Sequence, residues 1–82
     1  MHITAPNLVN CRQLRAARVL AGLTQKTLGA ALDVDERQIR FWERRIPTNP
    51  RKAARIERAL LANGVALFTE PTAGVRFAGS KC

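Results

Sequence analysis

The 82-residue sequence lacks most of the side chains on which catalysis and metal binding depend. It has no tyrosine, one histidine at position 2 and one serine at position 80. Its two cysteines, Cys11 and Cys82, do not have the spacing of a metal site, and its six acidic residues form no cluster for metal ions. We therefore expect neither an enzyme nor a zinc finger, and no cofactor or metal.

The sequence also lacks a secretory signal and any run of about 18 apolar residues that would span a membrane. These absences predict a cytoplasmic protein whose Cys11 is reduced instead of bridged. The length predicts one domain with a marginal core, to which a second subunit or a partner would add stability.

What the sequence has in excess is positive charge. Lys and Arg number 14 against six Asp and Glu, for a net charge of +8, and 11 of the 14 are arginine. The planar guanidinium fork suits phosphates and guanine edges better than a lysine ammonium does. Because the basic residues are spread over predicted helices, we expect a folded surface that binds a polyanion. A basic helix on a membrane surface is the weaker alternative, since the arginine-rich helix has few large apolar residues.

Start and stop signals predict two helices in the first third of the chain. Asn10 and Gln13 have the spacing of a capping box, so helix 1 is predicted from about residue 10 to 21, and Gly22 ends it. Thr24 caps helix 2. The inner faces of the two helices, including small residues that allow close approach, are Leu14, Ala17, Ala21, Leu28, Gly29, Ala30, Ala31 and Leu32.

A short turn separates helix 2 from helix 3. Asp33 is predicted to take the left-handed conformation, which Asp tolerates, and Val34 to pack into the core. Asp35 caps helix 3, with Gln38 three residues on, and this helix is predicted to span residues 35–45. Stepping about 100° per residue puts Ile39 and Trp42 on one face and arginines on the other.

A fourth helix follows a loop at residues 46–48. Asn49 and Pro50 form an N-cap and a first helical position, and Gly64 ends the helix, whose inner face is Ala53, Ile56 and Leu60. Arg55 and Arg58 either solubilise this helix or pair with Glu57. Residues 65–68 and 75–77 predict a weak hairpin, which must pack on the helices or on a second subunit.

Two short helices joined by a three-residue turn are typical of the helix-turn-helix arrangement. The sequence resembles the Cro/CI (XRE-like) family of phage and bacterial repressors over roughly residues 14–68, and the hairpin is similar to the tail of small bacterial members. It departs from the family pattern at Asp33, where glycine is usual, and at Arg45, where glycine commonly ends helix 3. The residues that carry the resemblance are Leu23, Thr24, Gln25, Leu28, Ala31, Leu32, Val34, Ile39, Trp42, Glu43 and Arg44.

The resemblance implies an all-α, lambda-repressor-like bundle of about four helices with a short C-terminal β-hairpin. Residues 1–9 are expected to be an N-terminal arm or a loosely packed start, and residues 10–64 the DNA-binding domain. Residues 65–78 form the hairpin, a possible dimerisation element, and residues 79–82 a flexible tail.

In that family helix 3 enters the major groove. Carried over by position, the residues that read base edges are Glu36, Arg37, Arg40 and Phe41. Those that bind phosphates are Thr24, Gln25, Lys26, Gln38, Arg44, Arg45, Arg51 and Lys52. The resemblance also pairs Glu43 with Arg18 as a structural ion pair. Three alternatives stay open: Glu36 serves only the helix dipole, Arg37 and Arg40 form a solvated face, and Phe41 belongs to the core.

The sequence therefore predicts a regulator that binds double-stranded DNA, most simply a repressor that acts as a homodimer on an inverted repeat in the bacterial cytoplasm or nucleoid. The alternative is an antitoxin or another interaction protein, which binds DNA and contacts a toxin or other protein through residues 65–82.

Overall fold

A computed structural model of the protein describes residues 7–45, 49–69 and 72–77. In chain order these residues form helices α1 (Cys11–Leu20), α2 (Gln25–Leu32), α3 (Glu36–Trp42) and α4 (Pro50–Ala62), then strands β1 (Val65–Phe68) and β2 (Gly74–Phe77). The strands pair antiparallel, with Val65 opposite Phe77 and Phe68 opposite Gly74. The predicted fold class, a helical bundle with a short C-terminal hairpin, is confirmed.

The predicted helix caps are present. The side chain of Asn10 accepts a hydrogen bond from the Gln13 N–H at 2.8 Å, and Thr24 and Thr27 cap α2 reciprocally. Gly22 follows α1 with a φ of 75°, the left-handed conformation that glycine adopts without steric cost. These residues satisfy backbone groups that the ends of a helix leave unpaired.

Two predicted capping boxes do not close. Asp35 accepts a hydrogen bond from the Arg37 N–H at 2.9 Å, but among the described residues Gln38 returns no bond to the Asp35 N–H. The side chain of Gln13 binds the Val9 N–H instead of the Asn10 N–H. A cap needs only one side-chain acceptor, so both helices begin where expected without the second bond.

The turn between α2 and α3 requires two particular residues. Asp33 has φ 59° and ψ 43°, the left-handed conformation predicted for it. Gly29 is buried beneath the turn, where a Cβ atom would lie 2.7 Å from the carbonyl oxygen of Val34. Because that distance is shorter than any real contact of a Cβ atom, a larger residue here would push α3 away from α2.

Ala30 and Ala31 are exposed, so the prediction that they lie on the inner face of α2 is wrong. Leu28 and Leu32 are buried, and one turn of helix separates them. The helical period then places Ala30 and Ala31 on the solvent-exposed side of α2.

α3 is shorter than predicted. It ends at Trp42, with Glu43 as its C-cap, and Arg44 and Arg45 lie in the turn beyond it. The predicted helix end at residue 45 is therefore wrong by three residues. Pro47 follows shortly in the sequence, and it lacks the backbone N–H that a continuing helix would need. The loop predicted at 46–48 lies outside the described residues.

One core joins the helices and the hairpin. Val34 packs against it from the turn, as predicted, and β1 contributes Val65 and Leu67. β1 packs on α4 and α1, and β2 packs on α1, so the hairpin is part of the same unit as the helices. The buried apolar residues are Leu8, Leu14, Ala17, Leu28, Leu32, Ile39, Trp42, Ala53, Ile56, Leu60, Val65 and Leu67.

The segment before α1 is also packed where the structure describes it. Leu8 is buried in the core, and Asn7 donates two hydrogen bonds to Glu57, from its N–H at 2.8 Å and from its Nδ2 at 3.1 Å. The expectation of an arm or loose start over residues 1–9 is therefore wrong for residues 7–9. The carboxylate of Glu57 holds this segment and forms no ion pair with Arg55 or Arg58. Residues 1–6 and 79–82 lie outside the described residues.

Gln13 is the buried polar residue that fastens the hairpin to α1. Its Nε2 donates to the carbonyl oxygens of Phe68 at 3.0 Å and Gly74 at 3.1 Å, and its Oε1 accepts from the Val9 N–H at 2.8 Å. Phe68 and Gly74 face each other across the two strands. One amide therefore fixes both strands and the entry to α1 at the same point.

We expect Gln13→Leu to lower the free energy of unfolding by about 1–3 kcal/mol, because leucine leaves buried backbone groups without partners. Urea unfolding followed by the fluorescence of Trp42, the single tryptophan, measures this loss. Arg12→Gln is the control, since Arg12 is the exposed neighbour of Gln13 on α1 and a surface change of this kind stays within about 0.5 kcal/mol. Equal losses in the two variants would contradict the role of Gln13.

Candidate nucleic-acid interface

α3 has one buried face and one exposed face, as its sequence predicted. Ile39 and Trp42 are buried, whereas the side chain of Arg37 is 82% exposed. Phe41 is 52% exposed, so it is not a core residue. Single apolar side chains are common on protein surfaces, so this exposure places Phe41 beside the arginines but does not by itself indicate a partner. The three positions Arg37, Arg40 and Phe41 therefore form one exposed surface beside Glu36.

The two arginines near the start of α3 have acidic neighbours. Arg40 Nη2 lies 3.2 Å from Glu36 Oε2, one helical turn away, and Arg37 Nη2 lies 3.9 Å from Asp35 Oδ2. Both pairs are exposed, so each adds well under 1 kcal/mol to stability. Exposed pairs of this strength exchange easily for another partner.

A buried ion pair joins α1 to the end of α3. Arg18 Nε donates to Glu43 Oε2, and Arg18 Nη2 lies 3.4 Å from Glu43 Oε1. The side chains of Arg18 and Glu43 are only 14% and 7% exposed. Arg18 Nη1 also donates to the carbonyl oxygen of Leu23 at 2.9 Å, just before α2. One guanidinium group thus contacts α3 and the start of the α2 segment together.

Gln25 completes this network from the first position of α2. Its Nε2 donates to Glu43 Oε1 at 3.2 Å, so the carboxylate of Glu43 binds Arg18 and Gln25 at once. The family resemblance implied a phosphate contact for Gln25. The hydrogen bond to Glu43 shows that Gln25 also supports the end of α3.

A shallow cleft lies over this network, where α1, the start of α2 and the end of α3 meet. Its walls include Arg15 from α1, which the sequence analysis missed. Arg15 lies one helical turn before Arg18, and that spacing was the available signal. The residues that line the cleft are Arg15, Arg18, Gln25, Arg40, Glu43 and Arg44.

The other predicted phosphate-binding residues lie at three places. Thr24 and Lys26 are exposed at the start of α2, although the Thr24 hydroxyl is occupied by its hydrogen bonds with Thr27. Arg44 and Arg45 are exposed after α3. Gln38 is half-buried and lines a second cleft with Lys52, and Arg51 is exposed at the start of α4.

The described residues contain no group of three or more His, Cys, Asp or Glu side chains that could hold a metal ion. Cys11 is a free, half-buried thiol. Within the same residues, no helix is long and apolar enough to cross a membrane. The strongest chemical feature of the described surface is therefore its concentration of arginine around α3.

Comparison with known proteins identifies a family. A family model described as helix-turn-helix matches residues 14–60, which is more than half of the chain and runs from α1 into α4. The matched range contains the turn at Asp33, the network of Arg18, Gln25 and Glu43, and the exposed face of α3. No curated protein and no solved structure matches the chain significantly.

We expect Glu43→Gln to lower the free energy of unfolding by about 3 kcal/mol, because it leaves the charge of Arg18 without its partner. The double variant Arg18→Met/Glu43→Leu should lose less than the sum of Arg18→Met and Glu43→Leu, since apolar residues can replace the whole pair. Urea unfolding of the four proteins and the wild type measures this coupling.

The matched control is Glu36→Gln, which removes the same charge from the exposed pair with Arg40 and should cost less than about 0.5 kcal/mol. Losses that simply add in the double variant would mean that Arg18 and Glu43 do not depend on each other.

Proposed function

From the premise that this chain belongs to the helix-turn-helix family of the Cro/CI type, a family of DNA-binding regulators, we propose that it binds a specific DNA sequence with α3 in the major groove. The observation that carries the proposal is the exposed arginine face of α3, held at a fixed angle to α2 by Gln25 and Glu43. An α-helix fits the major groove, where each base pair presents a distinct pattern of donors and acceptors.

We assign base reading to the exposed residues along α3. Arg37 is the most exposed of them, and its guanidinium fork matches O6 and N7 of guanine. Glu36 accepts from N4 of cytosine, and Phe41 packs on a thymine methyl group. Arg40 lies beside them, paired with Glu36 in the free protein. Replacing that exposed pair with base contacts costs little.

Phosphate contacts fix the position of α3 without reading sequence. We assign them to the residues that flank α3 on both sides: Thr24, Gln25, Lys26, Gln38, Arg44, Arg45, Arg51 and Lys52. The backbone N–H and the hydroxyl of Thr24 are both bonded to Thr27 within the helix cap, so a phosphate at Thr24 would share one of these two groups. The basic residues among them add the charge that draws the protein to DNA.

We further propose that the protein acts as a homodimer on an inverted repeat and represses transcription in the bacterial cytoplasm by occupying the operator. Two recognition helices related by a two-fold axis read half-sites about 34 Å apart, one turn of the duplex. Phe77 on β2 is 67% exposed, and this exposed apolar side chain supports the proposal that the hairpin forms the dimer surface. In the alternative, β2 binds a different protein, as in an antitoxin, instead of a second copy of this chain.

We expect Arg37→Ala to weaken binding to the preferred site by about 1–3 kcal/mol and to relax the preference at one base position, because one bidentate base contact is lost. Selection of bound sequences from random DNA, followed by titration of the preferred site, measures both effects.

Arg58→Ala removes the same charge from an exposed position on α4 outside the proposed interface and should keep the base preference. The assignment of Arg37 as a reader is wrong if Arg37→Ala selects the same sequences as the wild type with equal stringency.

We expect Phe77→Asp to convert the dimer to a monomer, since it puts a charge into an apolar contact. Sedimentation equilibrium should give half the mass, and binding to the inverted repeat should fall to the affinity of one half-site, while half-site binding stays unchanged. This variant is preferable to deleting residues 65–82, because Val65 and Leu67 belong to the core.

Leu61→Asp is the control, a matched change at another exposed apolar position, on α4. A monomeric wild type would contradict the dimer. If that monomer co-purified with a second protein that Phe77→Asp releases, the antitoxin-like alternative would take its place.

A further inference from the structure

The cleft lined by Arg15, Arg40 and Arg44 carries positive charge that the DNA contacts assigned above use only in part. We propose that this cleft binds a single phosphate group of the DNA backbone, with Arg15 of α1 and Arg44 beyond α3 as its two arms. The inference rests on the proposed function. It adds Arg15, which lies on α1, outside the paired helices α2 and α3.

The charge balance of the cleft favours an anion. Four guanidinium groups line it against the single carboxylate of Glu43. That carboxylate is already bound by Arg18 and Gln25, and Arg40 is drawn towards Glu36. Among the described residues, neither Arg15 nor Arg44 forms an ion pair. A bound anion would relieve the repulsion between like charges that this arrangement otherwise carries.

The floor of the cleft is rigid. Arg18 is held by Glu43 and by the carbonyl oxygen of Leu23, and Gln25 is held by Glu43. The exposed arms, Arg15 and Arg44, therefore lie beside a network that is already ordered. Only their own side chains need to become ordered on binding. A base that is ordered beforehand lowers the entropic cost of binding.

The chemistry of the arms suits phosphate in particular. Guanidinium groups bind phosphate oxygens in bidentate fashion, and two of them on different elements can hold one phosphate from two sides. The cleft shares Arg40 with the exposed face of α3, so a phosphate seated there lies next to the bases that α3 reads. Such a contact would fix α1, α2 and α3 against the same point of the backbone.

The test compares Arg15→Gln with Arg12→Gln. The two variants remove the same charge from exposed positions of α1. Both arginines line the groove between α1 and β2, but only Arg15 also lines the cleft. For a duplex with a single half-site, bound by one subunit, we expect a logarithmic salt dependence with a slope near −5 if about six phosphates are neutralised. Arg15→Gln should make this slope shallower by about 0.9 and leave the base preference unchanged, and Arg12→Gln should keep the wild-type slope.

A second measurement locates the phosphate. A series of duplexes, each with one phosphate replaced by a neutral methylphosphonate, is titrated with the wild type and with both variants. One position should weaken the wild type and Arg12→Gln on the order of tenfold and weaken Arg15→Gln clearly less, because that variant has already lost one of the two arms and keeps only Arg44. If every methylphosphonate weakens Arg15→Gln as much as the wild type, or if the three slopes are equal, the inference is overturned.

Free inorganic phosphate distinguishes a backbone site from a general anion site. Thermal unfolding is followed in phosphate and in chloride of equal ionic strength. Stabilisation by phosphate that Arg15→Gln abolishes, without any effect of Arg15→Gln in the duplex series, overturns the assignment to DNA. Failure of the inference differs from failure of the proposed function, since a wild type that selects a DNA sequence upholds the function whatever Arg15 does.

Discussion

The ion pair of Arg18 and Glu43 is the interaction on which the arrangement of the three N-terminal helices depends. It is nearly buried, it joins α1 to the end of α3, and through Leu23 and Gln25 it reaches the start of α2. A buried ion pair adds little net stability compared with apolar packing, because desolvation offsets the attraction between the charges. Its role here is to orient the helices relative to one another. A wrong angle between α2 and α3 would separate Gln25 from Glu43 and leave a buried charge with fewer partners.

The same requirement explains the turn. α2 and α3 come close because Gly29 has no Cβ and Asp33 accepts a left-handed backbone. The close approach puts the first residue of α2 within reach of the last residues of α3, and only then can Gln25 bind Glu43. Backbone geometry and the polar network thus specify the same angle between α2 and α3. This angle determines the direction in which the exposed arginines of α3 point. Agreement between local and tertiary preferences is what lets a short sequence specify one structure.

Local signals predicted the parts of the fold that depend on near neighbours. The caps at Asn10 and Thr24, the left-handed Asp33 and the buried stripe with Ile39 and Trp42 follow from residues at most a few positions apart. The helical period also predicted that Arg37 and Arg40 face solvent, but it left Phe41 open between surface and core. The pairing of Arg18 with Glu43 came from resemblance to a family and from no local pattern.

What the sequence could not predict depends on residues far apart in the chain. Gln13 binds carbonyl groups 55 and 61 positions away, and Asn7 binds Glu57 across 50 positions. No periodicity relates such residues, so Gln13 looked like half of a capping box and Asn7 like part of an arm. The helical spacing places Arg15 one turn from Arg18, but only the tertiary fold places it in one cleft with Gln25 and Arg44.

A net charge of +8 favours association with any DNA, so the selectivity of the proposed binding would depend on what weakens binding to wrong sequences. Three of its acids, Asp33, Asp35 and Glu36, lie together between α2 and the reading face of α3. Facing phosphates or guanine acceptors, these carboxylates would be repelled, and only a donor such as cytosine N4 makes the approach of Glu36 favourable. Under the proposed function, the arginines would supply affinity together with the base contact of Arg37, and the acids would add a penalty against wrong sequences. Glu36 would then contribute to discrimination between sequences although it contributes nothing to attraction.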